Sequence, residues 1–131
     1  MYRALIVEDE DLMREYLEKN LSTICTEWCV AATAADGQEA IEKMEGSHFD
    51  GIITDVRMPV MDGLAMSKVI REKDPQIPIL IVSGYNEFDY ARKAVRLISL
   101  IICLNLLMNR SWLLLYQPWL FRLDRNKGLL L

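Results

Sequence analysis

The sequence predicts an α/β domain built on a doubly wound parallel sheet. Three observations carry this. Short apolar runs, as strands buried on both faces have, occur at residues 4–7 and 79–82, with a similar run ending in Thr54 at 51–54. Segments with apolar residues at three- and four-residue spacing separate them, which is the stripe of a helix facing a core. The two kinds of segment alternate along the chain, a pattern that gives parallel strands joined by right-handed crossovers, with helices on both faces.

Ala4-Leu5-Ile6-Val7 is the first strand, ending in Glu8-Asp9-Glu10-Asp11. Leu12, Met13, Tyr16, Leu17, Leu21 and Ile24 then mark a helix, whose acidic start suits the positive end of the helix dipole. Cys29-Val30-Ala31-Ala32 is a weak second strand, broken by Asp36-Gly37; Ala40, Ile41 and Met44 give a short second helix stopping near Gly46. Gly51-Ile52-Ile53-Thr54-Asp55-Val56 is the third strand. Pro59 and Asp62-Gly63 turn the chain into a helix over residues 64–73. Ile79-Leu80-Ile81-Val82 is the fourth strand, closed by Ser83-Gly84, and residues 87–97 form a fourth helix.

The chain has 131 residues, 52% hydrophobic and 26% charged, with formal net charge −4. That is enough for one compact domain and too apolar for disorder. The acidic balance argues against a nucleic-acid clamp, which needs a basic stripe. Three cysteines make no disulfide framework, and nothing at the start reads as a secretory leader; a cytoplasmic protein is expected. Composition changes late in the chain. Residues 1–96 carry 11 basic and 18 acidic residues, net −7, whereas residues 97–131 carry four basic residues and Asp124, net +3.

In an open α/β sheet, ligands bind beyond the carboxyl ends of the strands. Glu8-Asp9, Asp55 and Ser83-Gly84 all fall at such ends. Each is commonplace alone, as loop or helix-start residues; their joint placement is the signal. Converging carboxylates repel, and oxygen-only ligands that share a divalent cation point to Mg2+. A carboxylate beside Mg2+ can be a nucleophile towards phosphorus. Ser83 offers a hydroxyl for phosphoryl oxygens, and Gly84 permits close backbone approach.

Leu5-Ile6-Val7-Glu8-Asp9-Glu10, the block from Thr54 through Asp55, Met58-Pro59 and Met61-Asp62-Gly63, and Ile81-Val82-Ser83-Gly84-Tyr85 resemble the signature blocks of response-regulator receiver domains. The stretch from Gly84 to Ala91 resembles receivers of AraC-type two-component regulators. The resemblance covers residues 2–97 and implies the flavodoxin-like (βα)5 fold with strand order 2-1-3-4-5, here with an atypical fifth strand and helix. It implies that Asp55 accepts a phosphoryl group from a sensor histidine kinase. By the same resemblance, Asp9 holds Mg2+ directly, Glu8 holds it through water, and Asp55 and the main-chain oxygen of Arg57 complete the protein ligands. Ser83 takes the switch-hydroxyl position, and Arg57 and Tyr85 lie where side chains tune phosphate lifetime. The whole chain then reads as a single receiver domain, with 98–131 an atypical apolar tail.

The family pattern continues with an Asp-Tyr-Leu-Leu-Lys-Pro type strand end, whose lysine binds the phosphoryl group. Here no lysine follows residue 97 until Lys127. A shifted reading frame from about residue 98 accounts for this. Residues 101–108 can be encoded as ATT ATT TGC TTA AAC CTG TTG ATG, which from the third base reads Tyr-Leu-Leu-Lys-Pro-Val-Asp. The alternative is a natural divergent tail, with Ser99-Leu100-Ile101-Ile102-Cys103-Leu104 as a replacement strand against the fourth and a short helix over 111–117. Residues 97–108 are too few for a membrane span, which needs about 20 apolar residues, so no membrane anchor is expected. Nor is direct nucleic-acid binding by this chain.

A second reading keeps the fold and drops phosphorylation. The apolar tail would then be a dimerisation or partner-docking surface, with a homodimer as one outcome. An aspartyl-phosphate phosphatase is a third, but Arg57 stands where it would need its second acid. A receiver turns over no external substrate, and the chain is not expected to be an enzyme. Cys25 and Cys29 read as buried thiols, and His48 as a surface residue.

Overall fold

The computed structural model describes residues 1–24, 26–83 and 101–104; for Ile24, Val82, Ser83 and residues 101–104 the backbone alone is described. The expected helices over 87–97 and 111–117, Gly84, Tyr85 and Cys25 lie outside the described residues. The elements are β1 (Tyr2–Val7), α1 (Asp11–Ile24), β2 (Trp28–Ala34), α2 (Gly37–Gly46), β3 (Gly51–Asp55), α3 (Gly63–Lys73), β4 (Ile79–Ser83) and β5 (Ile101–Leu104). They form one sheet in the order β2-β1-β3-β4-β5, with every pairing parallel. The alternation of elements predicts the parallel sheet, and the order is the flavodoxin-like one that the family resemblance implies.

The apolar runs are buried on both faces of the sheet. Leu5, Ile6 and Val7 are fully buried, as are Ile79, Leu80 and Ile81, each burial stabilising by about 1.5–3 kcal/mol. Period-2 alternation splits them between two cores. Leu5, Val7, Ile52, Ile79 and Ile81 pack with Ile41 of α2 and Leu64, Met66 and Ile70 of α3. Ala4, Ile6, Ile53 and Leu80 pack with Met13, Leu17 and Leu21 of α1 and with Trp28.

Element ends differ from expectation for identifiable reasons. β2 runs from Trp28 to Ala34 instead of 29–32, because its register with β1 continues from Tyr2↔Trp28 to Val7↔Ala34, across an irregularity opposite Ala4/Leu5. An edge strand tolerates such a bulge, and the alternation in the sequence is blurred by it. β3 ends at Asp55 rather than Val56, whose N–H is taken by Asp55 Oδ1 at 2.8 Å. Asp36 and Asp62 are helix caps: their carboxylates accept from Glu39 N and Ala65 N at 2.9 and 2.8 Å, satisfying donors left over in the first turn.

Among the described residues, no helix is long and apolar enough to cross a membrane. His48 is exposed as expected and faces Asp50 at 3.1 Å. Cys29 is half-buried with a free thiol.

Candidate functional site

The chain runs from β1 outward to β2, then crosses back to β3 on the other side of β1. This reversal opens a crevice at the carboxyl ends of β1 and β3. Glu8 and Asp9 follow Val7 there, and Asp55 is the last residue of β3. One carboxylate oxygen from each of the three lies within 4.8 Å of the others. The structure thus brings together the three acids singled out in the sequence.

Their surroundings are unequal. Glu8 is 6% exposed, Asp55 half-buried and Asp9 exposed. The Glu8 backbone is pinned from both sides: its N–H donates to Ala34 O at 2.9 Å, and its carbonyl accepts from Arg14 Nη1 at 2.8 Å. Arg14 also pairs with Asp11 at 2.5 Å. Glu8 Oε2 is buried without a hydrogen-bond partner. Burial, the neighbouring Asp55 charge and hydrogen bonding with Asp55 and Asp9 together push the Glu8 carboxyl up from 4.5 to about 9. The cause is ordinary electrostatics. Like charges about 4 Å apart cost about 4 kcal/mol at an effective dielectric near 20, and a proton on the most buried acid relieves it.

A cation would relieve it too. Three convergent carboxylates, one with an unpartnered buried oxygen, form an all-oxygen donor set of the kind a hard divalent ion such as Mg2+ takes. The residues present fit that ion.

The loop after β3 is tightly built. Gly63 N–H donates to Val56 O at 2.7 Å and Met61 N–H to Pro59 O at 2.7 Å, with Val60 between them at φ 67. Arg57 lies on this loop with an exposed side chain. A Cβ on Gly63 would stand 2.0 Å from the Asp55 carbonyl oxygen, so only glycine lets α3 start this close to Asp55. Ser83 ends β4, one residue past Val82, the residue registered with Asp55. The switch role of its hydroxyl and the phosphate-approach role of Gly84 lie outside the described residues. Sequence reading did not connect Arg14 or Gly63 with these acids, although Arg14 stands one helical turn beyond them and Gly63 ends the Met61-Asp62-Gly63 block.

The order of strands and the acid pocket at the switch point define a doubly wound α/β module whose candidate site lies at the ends of β1 and β3. Residues 4–98 match the response regulator receiver domain family, and the chain belongs to that family, the receiver domains of two-component response regulators. The transcriptional regulatory protein YesN of Bacillus subtilis is 31% identical over 96 residues, covering 73% of this chain and 26% of that protein. The receiver domain of AraT, a response regulator from Geobacillus stearothermophilus, superposes with TM-score 0.81 at 30% identity, covering 96% of this chain and 98% of that one. The response regulator TrrA of Thermotoga maritima, in complex with Mg(2+)-BeF, gives TM-score 0.67 at 27% identity, over 78% of this chain and 85% of that one. The chain spans 18–33% of the length of YesN and other curated relatives.

Proposed function

We propose that this chain is a phospho-accepting receiver of a bacterial two-component response regulator, acting in the cytoplasm and taking a phosphoryl group from a sensor histidine kinase onto Asp55. The observation that carries this reading is the convergence of Glu8, Asp9 and Asp55 within 4.8 Å at the sheet's switch point. An Asp55 carboxylate oxygen attacks phosphorus. The P–N bond to the kinase histidine breaks, and its electron pair returns to the imidazole, which takes up a proton. Asp55 Oδ1 accepts from Val56 N–H, which fixes the carboxylate's rotation for that attack. Glu8, Asp9, Asp55 and the Arg57 main-chain oxygen would hold Mg2+, which supplies charge neutralisation on the transferring group. Ser83 and Gly84 are assigned to the phosphoryl oxygens. The Mg2+-BeF complex of TrrA supports the assignment by likeness. The domain turns over no external substrate, and we assign the whole chain to one receiver domain.

Phosphorylation is expected to be impaired, because no lysine lies between Lys93 and Lys127 and the family's phosphoryl-binding cation is therefore absent from its place. β5 (Ile101–Leu104) pairs with β4 in register Ser83↔Leu104, so the strand that would carry the lysine just past its end is present, followed in sequence by Asn105. Incubation with acetyl phosphate and Mg2+, read by intact mass, is expected to give slow, partial phosphorylation of the parent and none of Asp55→Asn. Equal phosphorylation of the two would refute Asp55 as acceptor, and complete, long-lived phosphorylation of the parent would refute the impairment. Sequencing the coding DNA tests the shifted frame: codons at 101–108 incompatible with Tyr-Leu-Leu-Lys-Pro-Val-Asp end that explanation.

A further inference from the structure

Gly37, the first residue of α2, has surroundings unlike those of Gly46 at the helix's other end. A Cβ on Gly37 would meet the Met61 carbonyl oxygen at 2.8 Å, Met61 Cγ at 2.9 Å and Met66 Cβ at 2.9 Å, whereas one on Gly46 meets nothing within 4 Å. The Gly37 N–H, one of the helix's first-turn donors with no partner inside the helix, donates to that same Met61 carbonyl at 2.9 Å. The helix start is itself fixed: the N-cap Asp36 accepts from Glu39 N through Oδ1, and Glu39 Oε2 accepts from Ala35 N, the residue before the cap, both at 2.9 Å.

The accepting carbonyl belongs to the loop that leaves Asp55 and returns at Gly63. Val60 on that loop sits at φ 67, a conformation a β-branched residue holds only where its surroundings impose it. Its side chain is 83% exposed, so packing of that side chain does not impose it. Backbone ties do: Met61 N–H to Pro59 O, Gly63 N–H to Val56 O, and Gly37 N–H to Met61 O. The first two close the loop on itself. The third fastens it to another element.

We propose that Gly37 is a positioning residue for the phospho-acceptor site: its bare Cα lets the start of α2 touch the Met61 carbonyl and hold the strained 56–62 loop, which carries Arg57, beside the acidic pocket. The binding consequence rests on the reading of Glu8, Asp9 and Asp55 as a cation site; the loop-fastening role does not.

The test compares the full chain with Gly37→Ala, Gly46→Ala and the double variant Gly37→Ala/Met61→Ala, using Mg2+ titrations followed by backbone amide resonances. Gly37→Ala is expected to move the resonances of 57–62 and weaken Mg2+ binding about tenfold, the scale on which a metal site responds to loss of a supporting contact. Gly46→Ala should do neither. Truncating Met61 removes its Cγ but leaves the carbonyl in place, so the double variant should stay impaired. Unmoved loop resonances with parental Mg2+ affinity in Gly37→Ala would overturn the proposal, as would full recovery in the double variant. If Gly37→Ala does not fold, exchange of the Gly37 amide in the parent decides: reciprocal coupling requires it to slow when Mg2+ saturates, and an unchanged rate overturns the proposal. If the parent binds no Mg2+, the cation reading falls by itself, and the loop resonances alone support or overturn the role of Gly37.

Discussion

Replacing Gly63 by alanine is expected to destabilise the protein by roughly 3 kcal/mol or more, the upper range for forcing extra atoms into a packed site. The added methyl would stand 2.0 Å from the Asp55 carbonyl oxygen, 3.1 Å from its carbonyl carbon and 3.1 Å from Thr54 Oγ1. The first of these is a backbone atom, so no side-chain rotation relieves it. Either α3 retreats, breaking the 2.7 Å bond from Gly63 N–H to Val56 O, or Asp55 shifts with the end of β3. Both routes disturb the acid pocket, so stability and phosphorylation of Asp55 should fall together. Urea unfolding measures the first, with Gly46→Ala as reference, since its methyl meets nothing within 4 Å. A Gly63→Ala midpoint equal to that of Gly46→Ala would mean that Asp55 and the start of α3 are not in this contact.

The sheet was legible in the sequence because its central strands carry short apolar runs, and its helices carry apolar stripes at helical spacing. Residues 4–7, 51–54 and 79–82 all fall inside observed strands. Glu8, Asp9 and Asp55 were legible because strand ends in an alternating α/β chain lie at one edge of the sheet. Their inequality was not. Two adjacent acids look alike in a sequence, yet Glu8 is buried and Asp9 exposed, because the Glu8 backbone is pinned by Ala34 and Arg14. Gly37 and Gly63 both follow aspartates and read as turns. Each is instead a point where two backbones touch, and contacts between residues distant in sequence leave no local pattern.

β5 illustrates a partial reading. An apolar, β-branched segment predicted a strand near 99–104, and Ile101–Leu104 pairs with β4. Residues 99 and 100 of that segment lie outside the described residues.

Glu8→Gln is expected to stabilise the cation-free protein at alkaline pH and to remove most of its response to Mg2+. The Glu8 carboxyl is raised from 4.5 to about 9, first by burial and then by the Asp55 charge. Between those values the folded protein keeps a proton that the unfolded chain has released. Folded stability in the absence of divalent ions therefore falls as pH rises through that window. Glutamine carries no charge to bury, so the variant's profile should lack this slope. Above about pH 8 the variant should be more stable than the parent by roughly 1–3 kcal/mol, the scale of an uncompensated buried polar group. Mg2+ reverses the order. An ion that binds only the folded state stabilises it, and because it must displace the Glu8 proton, its affinity for the parent should rise with pH across the same window. Urea midpoints at acidic and alkaline pH, each with EDTA and with saturating Mg2+, separate the two effects. A Glu8→Gln variant less stable than the parent at alkaline pH in EDTA would mean that the Glu8 charge is already neutralised by a protein group, and a pocket so neutralised has no need of a metal.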